Sequence, residues 1–209
     1  VYVNYLKLIQ LFSTIGIFIV PSIIYSYLTN FDFNFRKINR QNIILVISIM
    51  LLITPFIALL LEWNKQINFP YWITQYDINS DSIIKAFLNI NTLSELLFTL
   101  LVLAVVPAIG EELIFRGYLQ KKIGLKIGNM HTSIIITSFI FSIVHLHFDG
   151  LIPRFILGIL LGYFFYWGKS LWLPILAHFV NNVQAIILSY PNFSKNKYSI
   201  ISNETVNTN

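Results

Sequence analysis

Cysteine is absent from the 209 residues, and charge is scarce: Asp, Glu, Lys and Arg together make up 11% of the chain. The first absence excludes disulfides, a thiolate nucleophile, cysteine-ligated zinc and a cysteine-borne lipid anchor. The second excludes an ordinary soluble domain, in which about a quarter of residues are charged. Apolar surface takes the place of charge: 56% of residues are hydrophobic and the mean hydropathy is +0.70. Aromatic residues reach 16%, which suits Trp and Tyr belts at the two faces of a bilayer. There is no long basic run and no nucleic-acid motif, so the expected partner is the lipid bilayer and not nucleic acid.

Apolar segments fall at 8–28, 43–61, 94–118, 133–147, 151–167 and 173–188. A helix needs ~20 apolar residues to cross hydrocarbon, so the first three qualify outright and the last three are short. The expected fold is all-α, a polytopic membrane bundle of about six transmembrane helices around a polar intramembrane cavity. Residues 8–28 are too long for a signal-peptide core and are followed by no small-residue cleavage pattern, so they read as a span. The organisation expected is 1–90 as two helices and a long loop, 91–190 as the core, and 191–209 as an Asn- and Ser-rich disordered tail. The 62–95 loop, with Trp63, Pro70, Trp72 and Asp77, is long enough for an interfacial segment. Loops 29–42, 119–132 and 168–172 carry Arg36, Lys37, Arg40, Lys121, Lys122, Lys126 and Lys169. They are assigned to one face, taken as cytoplasmic, with both termini on the other.

Charge and imidazole reappear inside the apolar segments. Glu111, Glu112 and Arg116 stand in one run, Phe141 and His145 in a second, His178 and Asn182 in a third. An ionisable group near the centre of a bilayer costs at least ~2.5–3.5 kcal/mol, so such groups face inward, find partners and mark function. Glu112 and Arg116, four apart, share a helix face and can pair; Glu111, turned by about 100°, is left to face a cavity. Pro107 and Gly110 are placed to bend the helix just ahead of the carboxylates. One reading of the three clusters is water activation, with Glu111 as general base and His145 holding the water, while His178 and Asn182 donate to a developing oxyanion. The plainer reading makes Glu112–Arg116 a structural pair and the histidines satisfied core residues. A transporter or proton relay, and a non-catalytic immunity or interaction protein, are the rivals from other classes. Glu111, His145 and His178 also form an adequate zinc set, but the His-Glu-x-x-His signature is missing, and the reading adopted uses no cofactor or metal.

Depth constrains these groups. Glu111 lies roughly 12 Å from the basic loop after 119, and His178 about 10 Å from the Lys169 loop. His145 is roughly 20 Å from residue 132, so it reaches them only if the 133–167 hairpin stays sunk inside the protein. Gly158 and Gly162 read as a site of close helix approach, Gly168-Lys-Ser170 as a helix end, His131 as exposed and His147 as part of the hairpin turn. Arg154 is expected to snorkel to headgroups, with attraction of a substrate carboxylate as the alternative.

Glu-Glu-x-x-x-Arg at 111–116, Phe-x-x-x-His at 141–145 and His-x-x-x-Asn at 178–182, with the lead-in Gly168-Lys-Ser-Leu-Trp-Leu-Pro-Ile-Leu-Ala-His178, resemble the CAAX prenyl endopeptidase and bacteriocin-processing (Abi, type II CAAX protease) family of intramembrane glutamate proteases. The resemblance covers roughly 90–190 and makes that stretch the expected catalytic core. It implies that Glu111 activates water with the help of His145, that His178 and Asn182 form the oxyanion site, and that a peptide or protein is the substrate. Glu112, Arg116 and Phe141 then support the site. The short Asn-, Ile- and Lys-rich chain looks bacterial, so the expected location is the bacterial cytoplasmic membrane, and no CAAX substrate is assigned.

Overall fold

Long runs of Ile, Leu, Val and Phe, interrupted by Asn, Gly and Pro, set where the helices begin and end. The computed structural model describes residues 2–90 and 92–189, and the tail from 191 lies outside them. The described residues form seven helices: α1 (Tyr2–Thr29), α2 (Arg40–Asn64), α3 (Tyr71–Phe87), α4 (Leu93–Ile127), α5 (Met130–Val144), α6 (Leu151–Gly168) and α7 (Trp172–Ser189). Five segments are long and apolar enough to cross a membrane: α1, α2, α4, α7, and α6 extended back to Phe148. α5, expected over 133–147, is apolar but has only 15 residues. The 62–95 loop contains the helix α3.

Side chains start the helices and left-handed residues stop them. Asn39, Thr92 and Asn129 accept hydrogen bonds from the first-turn amides of α2, α4 and α5, each worth about 1 kcal/mol. Asn30, Gly128 and Lys169, at φ 51°, 75° and 51°, end α1, α4 and α6. The expected bend ahead of the carboxylates takes a specific form. Pro21 and Pro107 leave the carbonyls of Ile17 and Leu103 without their usual donors. Both carbonyls lie in π-type turns, Ile15–Ile19 and Leu101–Val105. A third, Leu113–Gln120, follows at once after Glu112. Such wider turns concentrate at functional sites.

Only 11% of the spanning windows of α1 and α2 is buried, against 39% for α4 and 44% for 148–168. The first two are therefore peripheral and show Ile and Leu to lipid, while α4 and α6 form the centre. α5 and α6 pack closely because of glycine: a Cβ on Gly158 would lie 2.9 Å from Ser138 Cβ, and one on Gly162 2.7 Å from an Ile134 methyl. Val46 and Met50 of α2, Leu157 and Leu161 of α6 and Ala177 of α7 join in one apolar core.

The two ends of the bundle differ. At one, Lys121 donates to the Asp32 carbonyl and the Asn34 side chain, the Leu171 amide to the Asn34 carbonyl, and Ser170 to the Arg36 carbonyl. The basic loops thus gather at one end, as their charge predicts. At the other end lies the turn Phe148–Gly150. Asp77 of α3 accepts both the Phe148 and Asp149 amides at 3.1 Å. Asn64 donates to the Phe148 carbonyl and accepts the Ile152 amide, each at 2.8 Å. Asn64 and Asp77 are buried, whereas Val144 and Leu146 just before the turn are exposed and, of Phe148–Gly150, only Gly150 is buried, so protein clasps the turn from the side of α2 and α3.

Candidate active site

Spacing along α4 divides the two carboxylates. Glu112, Arg116 and Gln120 recur every four residues on one face and are all fully buried. Arg116 Nη1 donates to Glu112 Oε1 at 2.8 Å and Nη2 to the Gly158 carbonyl at 3.0 Å. Gln120 Nε2 donates to the Gly162 carbonyl at 3.1 Å. The polar face of α4 is thereby tied to the two glycines that admit α5. The Arg116 guanidinium also lies 4.4 Å over the Phe141 ring, which meets His145 and His178 edge to face. Glu111, on the adjoining face, lines a cavity of about 470 Å³ with Phe141, His145, His147, Arg154, His178, Asn181 and Asn182.

Hydrogen bonds fix how the two imidazoles are presented. His145 Nδ1 lies 2.7 Å from the Phe141 carbonyl; a carbonyl only accepts, so the ring donates there. Directly after it Leu146 takes φ 53°, which turns the chain out of the helix. His178 Nδ1 lies 2.9 Å from Glu112 Oε1, a carboxylate already paired with Arg116, so here too the ring donates. With both Nδ1–H groups committed, each neutral ring offers an Nε2 lone pair to the cavity. Glu111 Oε2 lies 3.5 Å from His145 Nε2 and 3.9 Å from His178 Nε2. It is buried with no hydrogen-bond partner among the described residues. Three acceptors so placed are reconciled by hydrogens between them, supplied by a shared proton or a water. Asn182 completes the rim: its Oδ1 accepts from Asn181 Nδ2 at 3.3 Å, which leaves its own amide hydrogens for the cavity.

The structure therefore brings Glu111, His145, His178 and Asn182 to one cavity, with Glu112, Arg116 and Phe141 behind them. His178 does not present both nitrogens to the cavity. Its Nδ1 is held by Glu112, and Nε2 donates only when the ring carries a second proton. Glu111 and the two histidines are the donors a metal would meet, and among the described residues no group of three His, Cys, Asp or Glu is arranged to hold one. Arg154 does not snorkel. It bonds inside the protein to the carbonyls of His147 at 3.0 Å and Ser142 at 3.4 Å, and lines the cavity. His147 lies in the connection after α5 and pairs with Asp81 of α3 at 3.0 Å. His131 is exposed against Tyr163.

A family model described as type II CAAX prenyl endopeptidase Rce1-like matches residues 93–184. Over that stretch the chain is similar to this family. No curated protein and no solved structure matches the chain. The Rce1-like domain runs from the start of α4 into α7 and contains every site residue named in the sequence. The matched stretch is similar to a CAAX-type membrane endopeptidase, in a chain with five segments long and apolar enough to cross a membrane. The cavity nonetheless extends beyond it, because Gln10 of α1 and Ser80, Ile83, Ile84 and Phe87 of α3 complete the lining.

Some of these residues were open to sequence reasoning and some were not. Gln120 continues the four-residue spacing of Glu112 and Arg116, and Asn181 stands beside Asn182. The pairing of His178 with Glu112 joins residues 66 apart in sequence, and no local pattern announces it. Nor does one announce that α3, distant from every motif, roofs the cavity.

Proposed function

We propose that this protein is an intramembrane endopeptidase that hydrolyses a peptide bond of a membrane-associated peptide or protein with a water activated by Glu111. The observation that carries the reading is the convergence of His145 Nε2 and His178 Nε2 on Glu111 Oε2. A water donating one hydrogen to Glu111 and the other to His145 is positioned for attack on a carbonyl lying between Glu111 and Asn182. As hydroxide adds to the carbonyl carbon, Glu111 takes the proton. The oxyanion accepts from Asn182 and, in its imidazolium form, from His178 Nε2, with Glu112 stabilising that cation from the other side. The C–N bond then breaks, and the proton held by Glu111 passes to the departing amine. The hydroxyl stays on the new carboxyl group. No metal takes part, so turnover is expected to survive EDTA.

The test is quantitative proteomics of host membranes and medium with the wild type and with Glu111→Gln. The general base contributes about 10²- to 10⁴-fold, so a precursor peptide should accumulate in the variant while the protein remains folded and present. If no peptide changes in abundance although both proteins are made equally, the protease reading fails. The same variant identifies the rivals: a proton relay would lose flux, and an interaction protein would be unaffected.

A further inference from the structure

Arg154 is placed against ordinary helix electrostatics. It lies in the first turn of α6, where the positive end of the helix dipole disfavours a cation. Among the described residues it is also the one Lys or Arg lining the active-site cavity. Among the described residues no carboxylate oxygen lies within ion-pair distance of it; Glu111 and Asp77 act on it only from farther away. Asp81 pairs with His147, and Asp77 accepts the amides of Phe148 and Asp149. Of the five guanidinium N–H groups, Nη1 serves the Ser142 and His147 carbonyls. Nη2 and Nε have no partner among the described residues. A Cβ on residue 150 would come within 2.9 Å of Nη2, so Gly150 keeps that end of the fork clear.

We propose that Arg154 is a specificity-determining residue that receives a carboxylate of the bound peptide, while Glu111 and Asn182 hold the scissile bond; this rests on the endopeptidase reading above. A cation kept in apolar surroundings with no direct ion pair is costly and marks function. A free edge of the guanidinium matches a carboxylate with two parallel hydrogen bonds. The carboxylate has two sources, the terminal carboxyl of a chain or an Asp or Glu side chain near the cut.

Binding tests this without turnover. Glu111→Gln protein in nanodiscs is titrated with a fluorescein-labelled Ala/Leu/Ile peptide in three forms: free acid, C-terminal amide, and amide bearing one internal Glu. At least one carboxylate-bearing form is expected to bind about tenfold or more tightly than the plain amide. Preference for the free acid alone assigns the chain end; preference for the Glu form assigns the side chain. Adding Arg154→Met should erase the preference and Arg154→Lys should keep part of it, whereas loss of a merely structural cap would weaken all three forms equally. Equal binding of the three forms, or a preference that survives Arg154→Met, overturns the role of Arg154 and leaves the endopeptidase reading standing. If no form binds, both fall. Should Arg154→Met fail to fold, the acid-to-amide ratio with Arg154 in place still decides.

Discussion

Glu112 accepts two hydrogen bonds on a single oxygen, from Arg116 at 2.8 Å and from the N–H of His178 at 2.9 Å, in a fully buried setting. Removing one member of a buried pair leaves an uncompensated charge and costs about 3–5 kcal/mol. Glu112→Gln is therefore expected to lower thermal stability in detergent by that order and also to slow turnover, since His178 loses the group that orients it. Replacing Arg116 as well, in Glu112→Gln/Arg116→Met, should recover much of the stability but none of the orientation. An unchanged melting temperature in the single variant would remove Glu112 from this role. Glu111 contrasts with its neighbour. Its Oε2 makes no hydrogen bond among the described residues, so Glu111→Gln should change chemistry with little effect on folding. Under the proposed function, two adjacent identical residues divide into a scaffold acid and a reacting one, and their separation in role follows from one step of helix rotation.

At the scale of elements, the α5–α6 contact is a joint with no room for a methyl group. A methyl on Gly158 would meet both Cβ and Cα of Ser138, at 2.9 and 3.2 Å, and backbone does not move aside as a side chain does. Gly158→Ala is expected to cost about 1–3 kcal/mol by overpacking, read from thermal unfolding in detergent, and to shift the carbonyl that receives Arg116. Ser138→Gly in the same chain should restore part of the loss; no restoration would mean that the damage lies elsewhere. This joint was legible in the sequence, because Gly158 and Gly162 share a helix face. The same holds for the pairing of Glu112 with Arg116 and for the three clusters at helical spacing, since each follows from period or the cost of charge in lipid. What was not legible depends on tertiary approach: α3 as the roof, Asn64 and Asp77 as the clasp on the turn, and Glu112 as the partner of His178. Arg154 was read towards headgroups because its position in sequence does not reveal that the carbonyls of Ser142 and His147 hold its guanidinium.

For the whole molecule, the absence of cysteine makes topology directly measurable. Single cysteines can be introduced on an otherwise silent background. Leu125→Cys, exposed at the end where the basic loops gather, should react with a membrane-impermeant maleimide from one side of sealed vesicles. Tyr71→Cys, exposed at the start of α3, should react from the other. Phe148→Cys, in the clasped turn, should react from neither until the protein is unfolded. Ready labelling of position 148 in the native protein would contradict the clasp.

The clasp on that turn bears on which proteins are cut and which are spared. Lifting α3 to admit a chain from water would break the hydrogen bonds from Asp77 to the Phe148 and Asp149 amides, and bonds to a charged group are worth about 1.5–3 kcal/mol each. If the protein is the endopeptidase proposed above, a closed roof on that side restricts it to chains already dissolved in lipid. Selection then takes place before any side chain is read: the solvent in which a candidate resides decides whether it ever encounters the nucleophile.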